Sequence, residues 1–340
     1  MNGPVSLYKK ETMDLHVLSA TDVVAALPMA DAIGGMKYAF AQLSTGRADA
    51  PLRTHMRVED VGATLVMPAY LADSEDMAIK IVSVFPDNPQ LGLPTIHALV
   101  LAIDTSTGKP LALIEGGSLT AIRTGAVSGA ATDLLARSDA RSVAIIGSGV
   151  QARTQLEAVC TVRHIDEVRV FSLLRNQAQQ FAHEMAGRGP IPPSITVAED
   201  AESAVKGADI VCTATTSFTP VFSGEHLKPG AHVNGVGSFT PEMQENDLQT
   251  VERSLVIVDS RTAALEEAGD LIIPLQNGDI SLNHIVAELG EVVSGIHPGR
   301  TSPSQITFFK SVGVAVQDAA AASIAISNAL ANGLGSKITL

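Results

Sequence analysis

The chain contains no tryptophan, and aromatic residues make up only 4% of its 340 positions. Val, Ile, Leu and Ala must therefore fill whatever core it builds, since they are the apolar side chains left in quantity. There are two cysteines, Cys160 and Cys212. Their wide separation and lack of metal-ligand spacing exclude a disulfide framework or a thiolate metal centre and fit reduced thiols in the cytoplasm. No paired histidines compensate, so no metal is expected. Basic residues are also short, with 23 Lys and Arg against 36 Asp and Glu and a formal net charge of −13. Nucleic acid is excluded as a partner, because phosphate contacts need clustered Lys and Arg. A small ligand is the alternative.

Long hydrophobic runs are missing too. No stretch approaches the ~20 apolar residues of a membrane-spanning helix. The nearest, "VGVAVQDAAAASIAISNALAN", is broken by Gln317 and Asp318 and reads as an Ala-rich helix packed inside a soluble protein. The amino-terminal "MNGPVSLYKKETMDLH" lacks a hydrophobic signal core. No internal repeat or Pro/Ser-rich linker divides the chain, and no membrane partner is expected.

What is present is a chain with 46% hydrophobic and 17% charged residues, long enough for about two domains. Residues 1 to about 128 read as a mixed segment. A helix is expected over "ATDVVAALPMADAIGGMKYAFAQLSTG", capped by Ser19 or Thr21 and ending at Gly46. Strands follow in "ATLVMPAYL", "DMAIKIVSVF", "HALVLAID" and "PLALIEGG", joined by turn-rich segments that suit antiparallel hairpins, and "SLTAIRTGAVSGAATDLLA" closes the segment as a helix. From about residue 141 the rhythm changes to strand, turn, helix, strand: "RSVAIIG", "VQARTQLEAVCTV", "EVRVFSL" and "NQAQQFAHEMAG", then "ITVAED", "AESAVKGA", "DIVCTAT", "AHVNGVG" and "SLVIVDS". Such alternation implies a parallel sheet with helices on both faces. The expected class is α/β: a doubly wound parallel-sheet Rossmann domain plus a mixed α+β domain.

Between the first strand and helix of that rhythm, Gly147, Gly149 and Ala152 form Gly-x-Gly-x-x-Ala. Gly147 permits the tight turn, Gly149 lets backbone approach a pyrophosphate, and Ala152 lets the helix pack on the strand, with its amino terminus facing the phosphates. Gly147, Ser148, Gly149, Val150 and Gln151 are thus candidate cofactor-binding residues. The second strand ends in Ser172-Leu173-Leu174-Arg175, without the acid that would bind the ribose hydroxyls of NAD. Arg175 either meets a 2′-phosphate or is a solvated helix-start residue, so the cofactor is written NAD(P)H.

Three cations sit among apolar or small residues: Arg53 in "APLRTHM", Lys80 in "MAIKIVSVF" and Arg123 in "SLTAIRTGAVSG". Alternation puts Lys80 on the face shared by Ala78 and Val82. Each cation either belongs to an internal ion pair or faces an anion, and together they would clamp a substrate carboxylate. His97 reads as a core histidine or a site residue, and His297 as a loop residue. Glu266, Glu267 and Asp270 read as a partly exposed helix end or as part of a closing cleft.

Taken in order, "PLRTHM", "VMPAY", "AIKIVSVFPDN", "GLPTIHALVLAID", "LTAIRTGAVSGAAT", "IIGSGVQAR", "KPGAHVNGVGS", "VDSRTAALEEAGD", "AELGEVVSG" and "FKSVGVAVQD" resemble the ornithine cyclodeaminase and mu-crystallin family over nearly the whole chain. The resemblance implies a homodimer of NAD(P)-dependent proteins. It implies a substrate-binding and dimerisation domain of residues 1–128 completed by 312–340, and a dinucleotide-binding domain of 129–311. By the same resemblance Arg53, Lys80 and Arg123 match residues that hold the substrate carboxylate. Thr95 and Thr124 match positions beside the nicotinamide and phosphates, while Ala214, Thr215, Val236, Gly237, Lys310, Ser311 and Gly313 match segments lining the cofactor cleft; Ser172 and Arg175, at the end of the second strand, join them as cofactor-binding candidates.

The family includes ornithine and lysine cyclodeaminases, alanine dehydrogenases, ketimine reductases and reductases of cyclic imino acids. Cyclodeaminases carry an Asp where "GVGSFTPEMQE" has Phe239, and a second acid just before the Met-Pro pair, where this chain has Leu65 and Val66 ahead of Met67 and Pro68. Phenylalanine accepts no proton. Reduction of a preformed cyclic imine needs only hydride donation, orientation and one proton, so the expectation is reduction of Δ1-pyrroline-2-carboxylate, and of Δ1-piperideine-2-carboxylate as a second ring size. Phe239 would wall the ring, and Lys80 or a bound water would supply the proton. The alternatives are a cyclodeaminase, an alanine-type dehydrogenase, or a dinucleotide-dependent small-ligand binding protein.

Overall fold

A computed structural model describes residues 12–340, so residues 1–11 of the amino-terminal segment inspected for a signal core lie outside the described residues. The chain builds two eight-stranded sheets. In the first, strands Gly62–Leu71, Asp76–Val84, Ile96–Asp104 and Pro110–Glu115 form the antiparallel hairpins expected of their turns, with Met67 paired to Lys80 and Lys80 to Val100. Their inner faces follow the period of two: Leu65, Met67, Ala69, Ala78, Val82, Val100 and Ala102 are buried in one apolar cluster. Helices Met29–Ser44, Gly116–Leu135 and Ala315–Asn332 supply the other side of that cluster. The run Ala319–Ala322 with Ala325 and Ala329 lets the last helix lie close against the sheet.

The second sheet is parallel throughout, in the order Thr196–Val197, Glu167–Phe171, Ser142–Ile146, Ile210–Thr213, His232–Gly235, Ile306–Lys310, Ser254–Val258, Ile285–Glu288. Separate apolar clusters cover its two faces, one containing Ala144, Val211 and Phe308, the other Val143, Val170 and Ile210. The doubly wound expectation therefore holds.

Several details depart from the sequence reading. The expected long helix over 20–46 is two helices, Ala20–Ala26 and Met29–Ser44, because Pro28 cannot continue the first and instead starts the second. Ser19 is the cap, its side chain and that of Asp22 closing a capping box. Strands Asp14–Leu18 and Ser336–Thr339, which pair antiparallel at the edge of the first sheet, carry too short a pattern to be noticed alone. Strand Ile306–Lys310 inserts between two strands that precede it in sequence, an order no local pattern encodes.

The helix Gly116–Leu135 belongs to the first layer yet runs past residue 128 to pack on the first helix of the second, Val150–Val162. A Cβ at Gly125 would stand 2.5 Å from the Thr154 carbonyl oxygen, so only glycine permits this approach. Gly125→Ala is expected to force the helices apart and lower stability by about 1–3 kcal/mol, read as a drop in thermal midpoint. An unchanged midpoint would mean that the two helices do not pack this closely.

Candidate active site

Lys80 lies mid-strand on the inner face of Asp76–Val84, as alternation requires, and is 1% exposed. Arg123, from the helix Gly116–Leu135, is 5% exposed, and Asp318, in the first turn of Ala315–Asn332, is 1% exposed. The three meet. Asp318 Oδ2 is 2.8 Å from Lys80 Nζ, an ion pair without hydrogen-bond angles, and Arg123 Nε donates to Asp318 Oδ1 at 3.1 Å. Arg123 Nη1 also donates to Gln317 Oε1 at 2.7 Å, while Val314 N donates to the same oxygen at 2.9 Å. Gly313, with φ +88, leaves room for the guanidinium: a Cβ there would lie 2.7 Å from Arg123 Nη1.

Two buried cations thus face one carboxylate. Burial, then the charge of Arg123, pushes the Lys80 ammonium down to about 8 against the opposing pull of Asp318. Arg53 belongs to the same group: burial and Arg123 push its guanidinium down to about 10, leaving it charged at neutral pH. In the structure Arg53 Nε and Nη2 both donate to Glu267, across the cleft between the sheets.

The dinucleotide turn has the geometry its sequence requires. Gly147 adopts φ +110, and a Cβ would stand 2.5 Å from the Ala214 carbonyl oxygen. Gly149 faces open space, with nothing within 4 Å of where a Cβ would stand, and the helix it opens has no side-chain cap on its amino-terminal N–H groups. Gln151 Oε1 is buried without a partner among the described residues. Beside the turn Ser148 Oγ donates to Ser172 Oγ at 3.0 Å, while Val150, Leu173, Leu174 and Phe218 expose 66%, 93%, 55% and 65% of their surface. An open cradle, free helix N–H groups and unpaired apolar walls fit a dinucleotide.

Three buried acids hold the loops beside this turn; Glu245 and Asp259 escaped the sequence reading, while Asp270 was noted there with Glu266 and Glu267. Glu245 accepts from the backbone N–H of Thr215, Gly237 and Ser238 at 2.6, 2.6 and 3.1 Å, and burial with Asp270 nearby pushes its pKa up. Asp270 accepts from the N–H of Glu245 and Asn246 at 2.7 and 3.0 Å and pairs with Lys310 at 3.2 Å. Asp259 accepts from Ser311 Oγ and from the N–H of Val312 and Gly313 at 2.9, 2.8 and 2.7 Å. These acids hold the loops at the carboxyl ends of the parallel strands, bringing Thr215, Val236, Gly237, Ser311 and Gly313 to one rim.

The other candidates divide. Thr124 is buried, its carbonyl accepting from Gln155, and Ala214 borders the turn at Gly147. Lys310 is fully buried with its amine on Asp270, holding the rim from behind. Arg175 is exposed at a helix start. Thr95 lies in a turn, its carbonyl accepting from Phe85 N, and Phe239 is 38% exposed on a loop packed against Gly269. His97 is neither a core nor a clamp histidine: register pairs it with Ser83, and it is exposed. Of the expected exposed helix end, Glu266 is exposed, but Glu267 and Asp270 are buried. His297 lies in a loop and accepts from Gly299 N.

A doubly wound sheet with an open dinucleotide turn, joined to a layer presenting clustered buried cations, defines a dinucleotide-binding protein for a small anionic ligand. The chain belongs to the ornithine cyclodeaminase/mu-crystallin family, whose model matches residues 13–333. It is 40% identical to a Delta(1)-pyrroline-2-carboxylate reductase of Bacillus cereus over 324 residues, 95% of this chain and 99% of the relative. The structure of the Thermococcus litoralis Delta(1)-pyrroline-2-carboxylate reductase in complex with NADH and L-proline matches with a TM-score of 0.91 and 44% identity, over 95% of this chain and 100% of that one. An archaeal alanine dehydrogenase dimer with bound NAD matches with a TM-score of 0.89 and 34% identity, over 96% and 99%.

Asp318→Asn would leave Lys80 and Arg123 without their counter-charge. The expected loss is about 3–5 kcal/mol of stability by denaturant unfolding. NADH binding should persist in the folded fraction, because the dinucleotide turn is held by other contacts, with Gly147 N donating to the Phe171 carbonyl and Ser148 Oγ to Ser172 Oγ. Stability equal to wild type would show that Asp318 is not the anchor of the cluster.

Proposed function

We propose that the protein is an NAD(P)H-dependent reductase that converts Δ1-pyrroline-2-carboxylate to L-proline, and Δ1-piperideine-2-carboxylate to L-pipecolate. The observation that carries this reading is the surplus positive charge of Lys80 and Arg123 over Asp318, buried beside the dinucleotide rim. A monocarboxylate brings the one negative charge that this arrangement lacks. The similarity to two Delta(1)-pyrroline-2-carboxylate reductases supports the choice of substrate. Phe239, and Leu65 and Val66 ahead of Met67 and Pro68, stand where cyclodeaminases carry acids and argue against cyclodeamination.

Bound at the rim, the reduced nicotinamide supplies the hydride. Gly147, Ser148, Gly149, Val150 and Gln151 would hold the pyrophosphate, Ser172 and Arg175 the adenosine ribose, and the segments at Thr124, Ala214, Thr215, Val236, Gly237, Ser311 and Gly313 would border the nicotinamide half, with Lys310 bracing that edge. Arg123, Lys80 and Arg53 fix the substrate carboxylate, so that hydride reaches C2 of the ring from one face. Phe239 walls the ring methylenes. The imine nitrogen takes a proton as the carbon takes hydride, and Lys80, with its ammonium held at about 8, donates it. The division into residues 1–128 with 312–340 for substrate and 129–311 for cofactor belongs to this reading. Two buried free thiols support a reducing compartment, the cytoplasm.

The same reading includes a homodimer. The outer face of the first sheet exposes Met56, Val58, Ile81 and Leu99 at 51%, 47%, 49% and 49%, a patch of the kind that marks an interface. The archaeal dehydrogenase dimer supports this assembly. Light scattering on the purified protein should give twice the chain mass, and Ile81→Glu should shift it toward one. A monomeric wild type would remove the dimer.

Activity is tested by loss of nicotinamide absorbance with Δ1-pyrroline-2-carboxylate, using NADH and NADPH in parallel. Because the acid form of Lys80 is required, kcat/KM should fall tenfold per pH unit above about 8. Lys80→Met should reduce turnover by about 10²- to 10⁴-fold. No oxidation of either cofactor would overturn the reading. A profile flat through pH 9, well above that value of about 8, would remove Lys80 as donor.

A further inference from the structure

Lys80 and Arg123 share Asp318, and Arg123 also has Gln317. Arg53 is different. Its carboxylate partner is Glu267, which closes the helix Arg261–Glu267 on the other side of the cleft, and one edge of the guanidinium, Nε and Nη2, is committed to it. Both side chains are largely buried, at 15% and 12% exposure. The pair lines a cavity of about 380 Å³ that also contains Met67, the cross-strand neighbour of Lys80, and Gly313, against which Arg123 lies. A carboxylate of the protein itself therefore sits on the third cation of the clamp, at the edge of the space a ligand enters.

We propose that Glu267 is a built-in competitor for the substrate carboxylate, occupying Arg53 until a monocarboxylate ligand displaces it. The proposal rests on the reading that Arg53, Lys80 and Arg123 together receive that carboxylate. Charge arithmetic supports an exchange. Arg53 with Glu267 is neutral, so an incoming anion that takes the committed edge of Arg53 leaves Glu267 without a cation. His55 stands 4.0 Å from Glu267, where burial, then Arg53 and Arg57, lowers its pKa and disfavours a second cation beside the pair. The backbone just beyond Glu267 is anchored: Gly269 N donates to the Thr240 carbonyl, and this glycine packs against the carbonyls of Thr240, Pro241 and Met243, tying the segment to the loop that carries Phe239. A displaced Glu267 side chain therefore stays tethered beside the cavity, so every carboxylate ligand competes with its negative charge, and Glu267 sets affinity without taking part in hydride or proton transfer.

The test measures L-proline binding to the NADH complex by calorimetry, beside steady-state KM and kcat for Δ1-pyrroline-2-carboxylate, in wild type, Glu267→Gln and Glu267→Asp. Removing the charge should tighten L-proline and lower KM by about tenfold, the size expected of a partly buried ion pair, with kcat nearly unchanged. Glu267→Asp keeps the charge but reaches less far, so it should move affinity the same way by less, and it carries the test if the glutamine variant does not fold. L-prolinamide, a cation that lacks the carboxylate, should not bind the variants more tightly than wild type. Weaker or unchanged L-proline binding in both variants would overturn the proposal and make Glu267 a residue that orients Arg53 or joins the domains. Turnover separates the two ideas. If wild type fails to reduce the imine while Glu267→Gln still binds L-proline more tightly, the substrate reading falls and the competition stands. If wild type turns over and the variants bind no more tightly, the competition falls and the reading stands.

Discussion

Asp318 is a carboxylate with 1% exposure, held between the ammonium of Lys80 at 2.8 Å and the guanidinium of Arg123 at 3.1 Å. A buried charge of either sign is tolerated only when paired, so the sheet strand, the long glycine-bearing helix and the closing helix must arrive together for any of the three to be stable inside. Because the cations outnumber the anion, the cluster remains incomplete in a specific sense: it is one negative charge short. The architecture that stabilises the cluster also leaves one positive charge uncompensated, the feature on which the proposed function rests.

The dinucleotide side is organised by a different arrangement of the same physics. Glu245, Asp270 and Asp259 are buried acids that accept from backbone N–H groups of successive loops, and only Asp270 is joined to a lysine, Lys310. Loops at strand ends carry unsatisfied N–H groups, and a buried carboxylate with several acceptor sites can gather two or three of them. The rim is thereby fixed before a ligand arrives, while Arg53 spans the gap to Glu267 and couples the two layers.

Much of this was legible in the chain. Glycine spacing after a short apolar strand announced the dinucleotide turn, alternation placed Lys80 on the face of Ala78 and Val82, and both readings depend on periods that a few neighbouring residues define. What stayed hidden has a common cause. Asp318 read as an interruption in an Ala-rich helix, Glu267 and Asp270 read as a partly exposed helix end or as part of a closing cleft, and His97 read as a core or site residue although it faces outward. Whether an isolated charge is solvated or buried depends on partners 195 residues away in the Arg123–Asp318 pair and 214 away in the Arg53–Glu267 pair.

Local pattern also explains where the helical reading failed. Apolar spacing runs on through Leu27, but Pro28 removes a backbone donor and divides the helix. By itself the sequence determined the two-layer plan, the dinucleotide turn and the kinds of cation available, because each is written in composition or short-range spacing, whereas the missing acids at Phe239 and ahead of Met67 and Pro68 were visible only through the family resemblance. Only the tertiary structure decided which acids meet those cations, that Arg53 already has a carboxylate partner, and that the strand Ile306–Lys310 enters the middle of its sheet. Pairing between distant segments is chosen by burial and charge balance over the whole fold, and neither is a property of any single stretch of chain.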